Sequence, residues 1–399
     1  MTSAVADAGA LIAVAGHPDA ARVVAVGLAG LAHRGGEGAS IAVADGVRLR
    51  MASGRGDVRA AFGGQALARM VGGVALGCVH DGDRGDPLVV GHSSAGALAA
   101  TVVGRFTNGA QLRQELLDAG TVLRSGSEAE LLLHLVARSG QRTFVNRLVD
   151  AVWRVEGAYA LAVASSERLV VLRGPHGVRP LWHGHLGDTA LLSTDDRAIH
   201  SVGGRLVRQL RPGEMAIIDD RGMQTLRPLP VREPLACTQE LLTMALAGGR
   251  PYAEPVHGLR VRLGAVLAER HPVPEAEVVV GMPGTGEEYA VGFAAASRQP
   301  LEHGLTPAEL PISLDPSAPQ HGLRRPVLGI VPSAVAHRTV ALVTGPLRAG
   351  DHVRQAVRRL LEAGAVAVHV RCVAPPVQLS CPYGLRIEAT EALAASRQS

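Results

Sequence analysis

The segment ALVTGPLRAGDHVRQAV, residues 341–357, decides the fold of the second half of the chain. An apolar run leads into a loop punctuated by Gly345 and Gly350, and a helical pattern begins at Asp351. In α/β proteins a turn between strand and helix is where a phosphate or a sugar is usually held. The loop itself, residues 344–350, contains no carboxylate. The sequence therefore predicts a strand–loop–helix unit whose capacity to bind a ligand is in question.

The flanking sequence extends this unit into a parallel α/β domain. Strands are predicted at 277–283, 339–343 and 365–373, and helices at 238–247, 255–270, 287–297 and 351–363. The last of these helices has one apolar face, formed by Val353, Ala356, Val357, Leu360 and Leu361. Gly364 stands where a helix C-terminal glycine belongs. Residues 299–332 are rich in proline and show no clear period.

The first half of the chain is rich in strands. They are predicted at 9–15, 39–46, 72–80, 86–94 and 96–106, and again in AYALAVAS, RLVVLRG, TALLS and EMAIIDD. Helices are predicted at 20–32, 108–120, 127–140 and 143–157, with Ser127 as N-cap and Glu130 completing a capping box. The Pro- and Arg-rich stretch at 227–234 marks a boundary. We therefore predict an α+β domain over residues 1–230 and an α/β domain over 235–399.

Composition excludes several classes of function. All 40 basic residues are Arg, so neither Schiff-base chemistry nor a phosphate-gripping Lys is available. The net charge is +4, but the arginines are scattered without aromatic residues between them, which disfavours nucleic-acid binding. No apolar run reaches transmembrane length and no secretory signal is evident, so we expect no membrane partner. The four cysteines form no CxxC pair, which favours a reducing, cytoplasmic location.

Several stretches, in order, resemble the amidophosphoribosyltransferase family. They are HRGGEGASI (33–41), SEAELLLHLV (127–136), EGAYAL (156–161), RGPHGVRPL (173–181), RPGEMAII (211–218), CTQE (237–240) and VRCVAPPVQLSCPYGL (370–385). The resemblance implies an N-terminal-nucleophile-type αββα sandwich, as in class II glutamine amidotransferases, followed by a type I phosphoribosyltransferase-like domain. In the family the first module releases ammonia from glutamine, and the second uses it on phosphoribosyl pyrophosphate (PRPP).

The nucleophile of the family's glutaminase is an N-terminal Cys, and Ala8 stands in its place. Loss of a covalent nucleophile lowers a rate by on the order of 10⁶. Whether Thr2 or Ser3 can substitute stays open, although Thr2 lies six residues upstream of Ala8. No catalytic residue is therefore assigned to this domain.

The former glutamine pocket, mapped by the resemblance, comprises Arg34, Gly35, His80, Gly104 and Glu128. His80 replaces the Arg that grips the carboxylate of glutamine, and Glu128 replaces an Asp that holds its α-amine. The oxyanion-hole Asn is replaced by Val103. Arg34 and Gly35 persist, but a turn-forming Arg-Gly pair can also be structural. The resemblance thus predicts an inactive glutaminase.

The former PRPP loops, mapped in the same way, comprise Pro283, Thr285, Thr344, Gly345, Gly350 and Asp351. Thr344 and Gly345 replace the two carboxylates that hold the ribose hydroxyls in the family. Asp351 is expected to cap the helix and so to occupy the amides that a phosphate needs. Weak anion binding through Arg348 and His352 stays open.

The pyrophosphate loop is altered as well. Gly284 replaces its Asp, and Glu287 and Glu288 add negative charge. Cys237 and Cys381 match two ligands of the iron–sulfur cluster that some family members hold, and the other two have no match. We therefore predict no metal and no cofactor.

Three functional interpretations follow. The first is a catalytically inactive family member that acts as a regulatory, scaffold or ligand-binding protein, forms homo-oligomers and associates with an active pathway enzyme. The second is an enzyme of altered specificity in purine-related or specialised metabolism, with His80, Asp81 and Asp83 as a polar cluster beside the old pocket. The third is an ordinary amidophosphoribosyltransferase.

Overall fold

The structure, a computed structural model, describes residues 9–80, 87–94, 96–310, 325–347 and 350–385. These residues form two compact units. The first runs to Cys237 and includes Cys381–Leu385, and the second is Thr238–Ser380. Within the described part of the chain, the structure contains no helix with the length and apolar character needed to cross a bilayer.

The first unit contains two antiparallel sheets. Its strands are β1 (Ala10–Ala15), β2 (Gly38–Ala44), β3 (Leu49–Arg55), β4 (Val74–His80), β5 (Leu88–Ser93), β6 (Gly96–Phe106), β7 (Gly157–Ala164), β8 (Leu169–Arg173), β9 (Trp182–Leu186), β10 (Thr189–Ser193), β11 (Arg205–Gln209), β12 (Met215–Asp219) and β13 (Gly222–Leu226). One sheet has the order β11-β9-β10-β1-β4-β2-β3, and the other has the order β13-β12-β8-β7-β6-β5.

Helices cover the outer faces of both sheets. They are α1 (Ala20–Gly30), a 3₁₀ turn (Ala32–Arg34), α2 (Val58–Ala61), α3 (Gly64–Ala68), α4 (Gly109–Asp118), α5 (Glu128–Arg138), α6 (Phe144–Trp153) and α7 (Asp196–Ser201). Strand β1 is apolar on both of its faces because each face is buried in a different core. Leu11 and Ala13 pack between the two sheets, whereas Ile12 and Val14 pack into the core shared with α1. The unit is therefore a four-layer αββα sandwich.

The second unit is built on a parallel sheet of order β15-β14-β18-β19. Its elements are a helical turn (Glu240–Met244), α8 (Val256–Arg270), β14 (Val278–Gly281), α9 (Glu287–Ser297), β15 (Leu301–Glu302), β16 (Leu305–Leu310), β17 (Arg325–Ile330), α10 (Pro332–Val335), β18 (Thr339–Thr344), α11 (Asp351–Glu362) and β19 (Ala367–Cys372). Strands β16 and β17 pair with each other in an antiparallel ladder.

Apolar side chains on the two faces of the parallel sheet build separate cores. Val279 and Ala341 pack on the side of α8 and α9, and Val278 and Val340 pack on the side of α11. Helices α8 and α9 cross closely, since a Cβ at Gly264 would lie only 1.9 Å from the carbonyl oxygen of Tyr289. The strands thus read as continuous apolar runs because both faces are covered.

Several local predictions are confirmed. Ser127 caps α5 by accepting a hydrogen bond from the Ala129 amide at 3.1 Å. Gly364 follows α11 with φ of +94°, as a C-terminal glycine should. Gly120 has φ of +79° after α4.

Other predictions are wrong in detail. Glu130 does not complete a capping box, because its carboxylate accepts from the amides of Arg124 and Ser125, each at 2.7 Å. Leu361 is 47% exposed and does not belong to the buried face of α11. The helix predicted at 238–247 is reduced to the turn Glu240–Met244. Strands β3, β9, β11 and β13 were not predicted, and the unpatterned stretch at 299–332 contributes β15 to β17 and α10.

Candidate functional site

Three of the predicted glutamine-pocket residues lie together at one end of the first sheet. A Cβ at Gly35 would lie 2.7 Å from the His80 amide nitrogen, and one at Gly38 would lie 2.6 Å from Cε1 of the His80 ring. The start of β1 reaches the same place, because a Cβ at Gly9 would lie 2.4 Å from the Val79 carbonyl oxygen. Arg34, Gly35 and His80 therefore lie close together, and the backbone around them is tightly packed.

The side chain of Arg34 is used inside the fold. Its Nε and Nη2 donate to Oδ2 of Asp195 at 2.9 and 2.8 Å, and Nε2 of His33 lies 3.2 Å from the same oxygen. Burial alone would raise the pKa of Asp195, but Arg34 and His33 hold it well below its usual range. Arg34 thus ties the 3₁₀ turn before Gly35 to the start of α7.

The pKa of the neighbouring carboxyl group, Asp196, is shifted in the opposite direction. Burial, followed by the negative charge of Asp195 and a hydrogen bond to it, raises the pKa of Asp196 to about 6. Sequence reasoning missed both residues. The available signal was STDDRAIH, in which Asp195 is the N-cap of α7 and accepts from the Arg197 amide at 3.0 Å.

The other two predicted pocket residues lie in the second sheet and its helix layer. Gly104, in β6, has φ of +108°, and a Cβ there would lie 2.0 Å from the Ala158 carbonyl oxygen. Its neighbour Val103 is buried between the sheets, so it offers no polar side-chain atom for an oxyanion. Glu128 is half-buried at the first position of α5.

A further polar group lies on β9. The rings of His183 and His185 meet edge to face with centroids 4.5 Å apart, and His183 is buried. Neither ring nitrogen of His183 has a hydrogen-bond partner among the described residues. Burial, followed by the nearby His185 and Arg208, lowers the pKa of His183 to about 4. His183 is therefore a neutral imidazole at neutral pH.

The two predicted PRPP loops touch each other in the second unit. The Met282 amide donates to the Val343 carbonyl at 2.8 Å, and a Cβ at Gly345 would lie 2.6 Å from the Thr285 carbonyl oxygen. Thr344 is buried at the end of β18, and Pro283 is half-buried in the facing turn. The strand ends that hold a sugar in other α/β proteins are thus in contact with the neighbouring turn.

The predicted role of Asp351 as helix cap is wrong. Gly350 is the N-cap of α11, with φ of +80° and no side-chain cap hydrogen bond. Asp351 takes the first helical position, and its exposed carboxylate pairs with Arg354 one turn later. A left-handed glycine lets the chain enter the helix without a capping side chain.

The acidic residues after the facing turn have different surroundings. Glu287 is exposed at the first position of α9. Glu288 lies 3.6 Å from the guanidinium of Arg260, which is buried and donates to the carbonyl oxygens of Leu241 and Ala245 at 2.9 and 2.7 Å. The charge of Glu288 is therefore partly compensated within the fold.

Cys372 and Cys381 are free cysteines. Cys237 and Cys381 are both half-buried residues of the first unit, and Cys381 Sγ accepts from the Tyr383 amide at 3.3 Å. Across the described ranges, no three or more His, Cys, Asp or Glu side chains converge on a metal position. Several sequence predictions fall outside the described residues, namely those on Thr2, Ser3, Ala8, Asp81, Asp83 and Arg348.

Comparison with known proteins agrees with this architecture. A family model described as a glutamine amidotransferase domain matches residues 78–201. An amidophosphoribosyltransferase of Bacillus subtilis is 32% identical over 395 residues, covering 96% of this chain and 83% of the relative.

Two solved structures are similar along nearly the whole chain. One is described as the allosteric regulatory enzyme of purine biosynthesis, with a TM-score of 0.90, 31% identity and coverage of 98% of this chain and 86% of that one. The other is glutamine PRPP amidotransferase from B. subtilis complexed with ADP and GMP, with a TM-score of 0.89, 31% identity and coverage of 97% and 86%.

Fold and comparisons together define the class: a class II glutamine amidotransferase-like αββα sandwich joined to a type I phosphoribosyltransferase-like domain. The chain belongs to the amidophosphoribosyltransferase family.

Proposed function

We propose that this chain is a catalytically inactive member of the family, with a regulatory, scaffold or ligand-binding role. One observation carries the proposal. The places of the two ribose-binding carboxylates hold Thr344, which is buried, and Gly345, whose missing Cβ would lie 2.6 Å from the Thr285 carbonyl oxygen. Neither place therefore carries a carboxylate that could bind the ribose hydroxyls. The space next to Gly345 is occupied by the Thr285 carbonyl oxygen.

The glutaminase half supports the same proposal. The residue that matches the family nucleophile is Ala8, whose methyl group cannot attack a carbonyl carbon. Val103 replaces the oxyanion donor, and removal of one such donor alone lowers kcat by roughly 10²–10³. Arg34 is engaged with Asp195 inside the protein. The nucleophile and the oxyanion donor of the reaction are thus both missing.

The test is direct assay of both half-reactions. Purified protein is incubated with glutamine, and separately with PRPP, Mg²⁺ and ammonium, while glutamate and pyrophosphate release are followed. The B. subtilis amidophosphoribosyltransferase serves as the positive control. We expect release no faster than in a protein-free blank. Pyrophosphate release from PRPP that scales with protein concentration would overturn the proposal for the second domain. Glutamate release that scales with protein concentration, and that is lost in a Thr2→Ala or Ser3→Ala variant, would overturn it for the glutaminase half.

The regulatory role is tested by binding rather than turnover. The relative solved with ADP and GMP suggests these two nucleotides as probes. A concentration-dependent rise in Tm with either nucleotide supports a ligand-binding role. A scaffold role instead predicts that adding this chain changes the kcat or KM of an active amidophosphoribosyltransferase from the same cell. Bovine serum albumin at equal concentration is the control.

The second candidate function is an enzyme of altered specificity. The observation in its favour is that His80, a titratable side chain, stands beside Gly35 and Gly38 where the family has an Arg. An active enzyme of this kind would lose its reaction on His80→Ala. An inactive homologue would keep its ligand-induced Tm shift or its partner effect in that variant.

A further inference from the structure

Two histidines share one face of strand β9. In the first sheet, β10 and β1 separate β9 from β4, which carries His80. His183 pairs with Leu192 across the ladder to β10, and His185 pairs with Ala190. Leu192 and Ala190 both pack in the core between the two sheets. Because directly paired residues of an antiparallel ladder lie on the same face, both histidines are turned toward the second sheet, apart from the former glutamine pocket.

The ring of His183 is enclosed by the protein but not hydrogen-bonded. Only 4% of this residue is exposed, and neither ring nitrogen has a partner among the described residues. Buried polar atoms of native proteins are nearly always satisfied, so two unsatisfied nitrogens on one ring need an explanation. A neutral imidazole carries one N–H group and one lone pair, and that lone pair is a common metal ligand. The ring therefore offers a ligand atom that the described part of the chain does not use.

The ring of His185 stands where a second ligand is needed. The centroids of the two rings are 4.5 Å apart, and their planes are inclined by 77°. Two imidazoles that bind one ion at about 2.0–2.1 Å from each nitrogen have their centroids roughly 5 Å apart. Small rotations of the two side chains therefore bring one nitrogen of each ring to a shared ion. His185 is half-buried and β9 lies next to the edge strand β11, which gives the pair a route to solvent.

The charged groups around the pair oppose a cation only weakly. Arg205 of β11 stands opposite His185, but it is exposed and its charge is screened by water. Arg208 stands opposite His183 and donates to both carboxylate oxygens of Glu214, at 2.9 and 2.6 Å, so its charge is compensated. Burial, more than these charges, lowers the pKa of His183 to about 4, which keeps the imidazole in the neutral form that binds metal ions.

We propose that His183 and His185 form a binding site for one divalent transition-metal ion that prefers imidazole ligands, Zn²⁺ or Cu²⁺. One nitrogen of each ring coordinates the ion, and water completes the coordination, since the described residues bring no third His, Cys, Asp or Glu side chain to this place. Mg²⁺ and Ca²⁺ prefer oxygen ligands and are not expected to bind. The prediction of no metal, made from the cysteines, did not weigh these histidines. The site is independent of whether the chain catalyses any reaction.

The fluorescence of Trp182, the residue before His183, tests the proposal on the full-length protein. Bound Cu²⁺ quenches a neighbouring indole, and a Trp153→Phe background leaves Trp182 as the single tryptophan of the chain. We expect CuCl₂ to quench this emission until about one ion is bound per chain, EDTA to restore it, and ZnCl₂ to compete with Cu²⁺. MgCl₂ at the same concentration should have no effect.

Two variants and one control make the outcome decisive. His183→Leu and His185→Gln each remove one ligand, so we expect the apparent affinity for Cu²⁺ to fall by roughly tenfold or more in both. His92→Gln, at an exposed position of β5, should keep the wild-type affinity. Circular dichroism verifies that each variant is folded. The proposal is wrong if quenching of Trp182 does not saturate, or if either ligand variant keeps the wild-type affinity.

Discussion

At the scale of single residues, His183 and Asp196 oppose each other as pH changes. The pKa of His183 is lowered from 6.5 to about 4, so between those values the unfolded chain binds more protons and stability falls as pH falls. The pKa of Asp196 is raised from 3.8 to about 6, so the folded chain binds more protons and stability falls as pH rises through that window. Each contribution is on the order of 3 kcal/mol.

Substitution of His183 should separate the two contributions. Because neither ring nitrogen has a partner among the described residues, His183→Leu should leave the free energy of unfolding at pH 7 unchanged or raise it by about 1 kcal/mol. It should also remove much of the loss between pH 6.5 and pH 4. Urea unfolding at several pH values measures both effects. His92→Leu, at an exposed position of β5, is the control, and an equal response in that variant would contradict the assignment.

The buried ion pair at Arg34 gives a second prediction. Arg34→Leu leaves the Asp195 carboxylate buried without its main partner, and we expect the free energy of unfolding to fall by about 3–5 kcal/mol. Arg50→Leu removes an exposed pair with Asp45 and should change it by less than about 1 kcal/mol. Chemical denaturation measures both changes. Similar losses in the free energy of unfolding would show that the buried Arg34–Asp195 pair contributes no more to stability than the exposed Arg50–Asp45 pair.

At the scale of secondary-structure elements, the crossing of α8 and α9 depends on glycine. A Cβ at Gly264 would lie 1.9 Å from the Tyr289 carbonyl oxygen, and one at Gly292 would lie 1.9 Å from the Val261 carbonyl oxygen. Both contacts are to backbone atoms, which cannot rotate away. The distance between the two helix axes is therefore set by the absence of side chains at these positions.

Two alanine substitutions on the same helix should have opposite effects. Gly264→Ala should lower the free energy of unfolding by roughly 2–4 kcal/mol, since the helices must separate. Gly258→Ala meets only the end of the Arg262 side chain, at 3.5 Å, and should raise stability by about 0.5–1 kcal/mol through helix propensity. Loss of ellipticity on heating measures both. A stabilising Gly264→Ala would disprove the close crossing.

Most long elements could be predicted from the sequence, because their apolar periods are strong. The strands that escaped prediction carry polar residues, as in WHGHL of β9 and GMQTL of β13. Their formation depends on hydrogen bonding to a neighbouring strand, which no local pattern reveals. Strand β9 is an example, since it is held between β10 and β11.

The candidate site could be predicted from the sequence only in part, because some of its contacts join residues that are far apart along the chain. The family resemblance grouped Arg34, Gly35 and His80 in one pocket and Gly345 with Thr285 in neighbouring loops, and in the structure these residues lie close together. Asp195, which pairs with Arg34, lies 161 residues away along the chain, and a single sequence does not disclose this contact. The cap of α11 was misassigned because the left-handed backbone of Gly350 decides it, and that conformation depends on the whole loop.

At the scale of the whole molecule, the departures from the family pattern are distributed over both units. By the resemblance, Thr344, Gly345 and Gly284 stand where the family has carboxylates in the second unit, and Ala8, Val103 and His80 stand where it has functional groups in the first. The fold is nevertheless similar to that of a solved relative, with a TM-score of 0.90. If the chain is inactive as proposed, substitution at one loop is not expected to restore activity.

This view predicts the outcome of an attempted restoration. The double variant Thr344→Asp and Gly345→Asp supplies both ribose carboxylates, yet we expect no release of pyrophosphate from PRPP. We also expect a lower Tm, because the new Cβ at position 345 would meet the Thr285 carbonyl oxygen at 2.6 Å. Thr344→Val, which adds no carboxylate, is the control for folding. Measurable pyrophosphate release by the double variant would show that the remainder of the site is intact.

The placement of the aromatic residues has a practical consequence for all of these measurements. Both tryptophans belong to the first unit, Trp182 buried at 7% exposure and Trp153 exposed at 57%. Indole emission therefore reports on the αββα sandwich alone, with a blue-shifted buried fluorophore and a red-shifted solvated one. Iodide should selectively quench the fluorescence of the exposed Trp153. The remaining emission then comes from Trp182, which lies on β9 with His183 and His185.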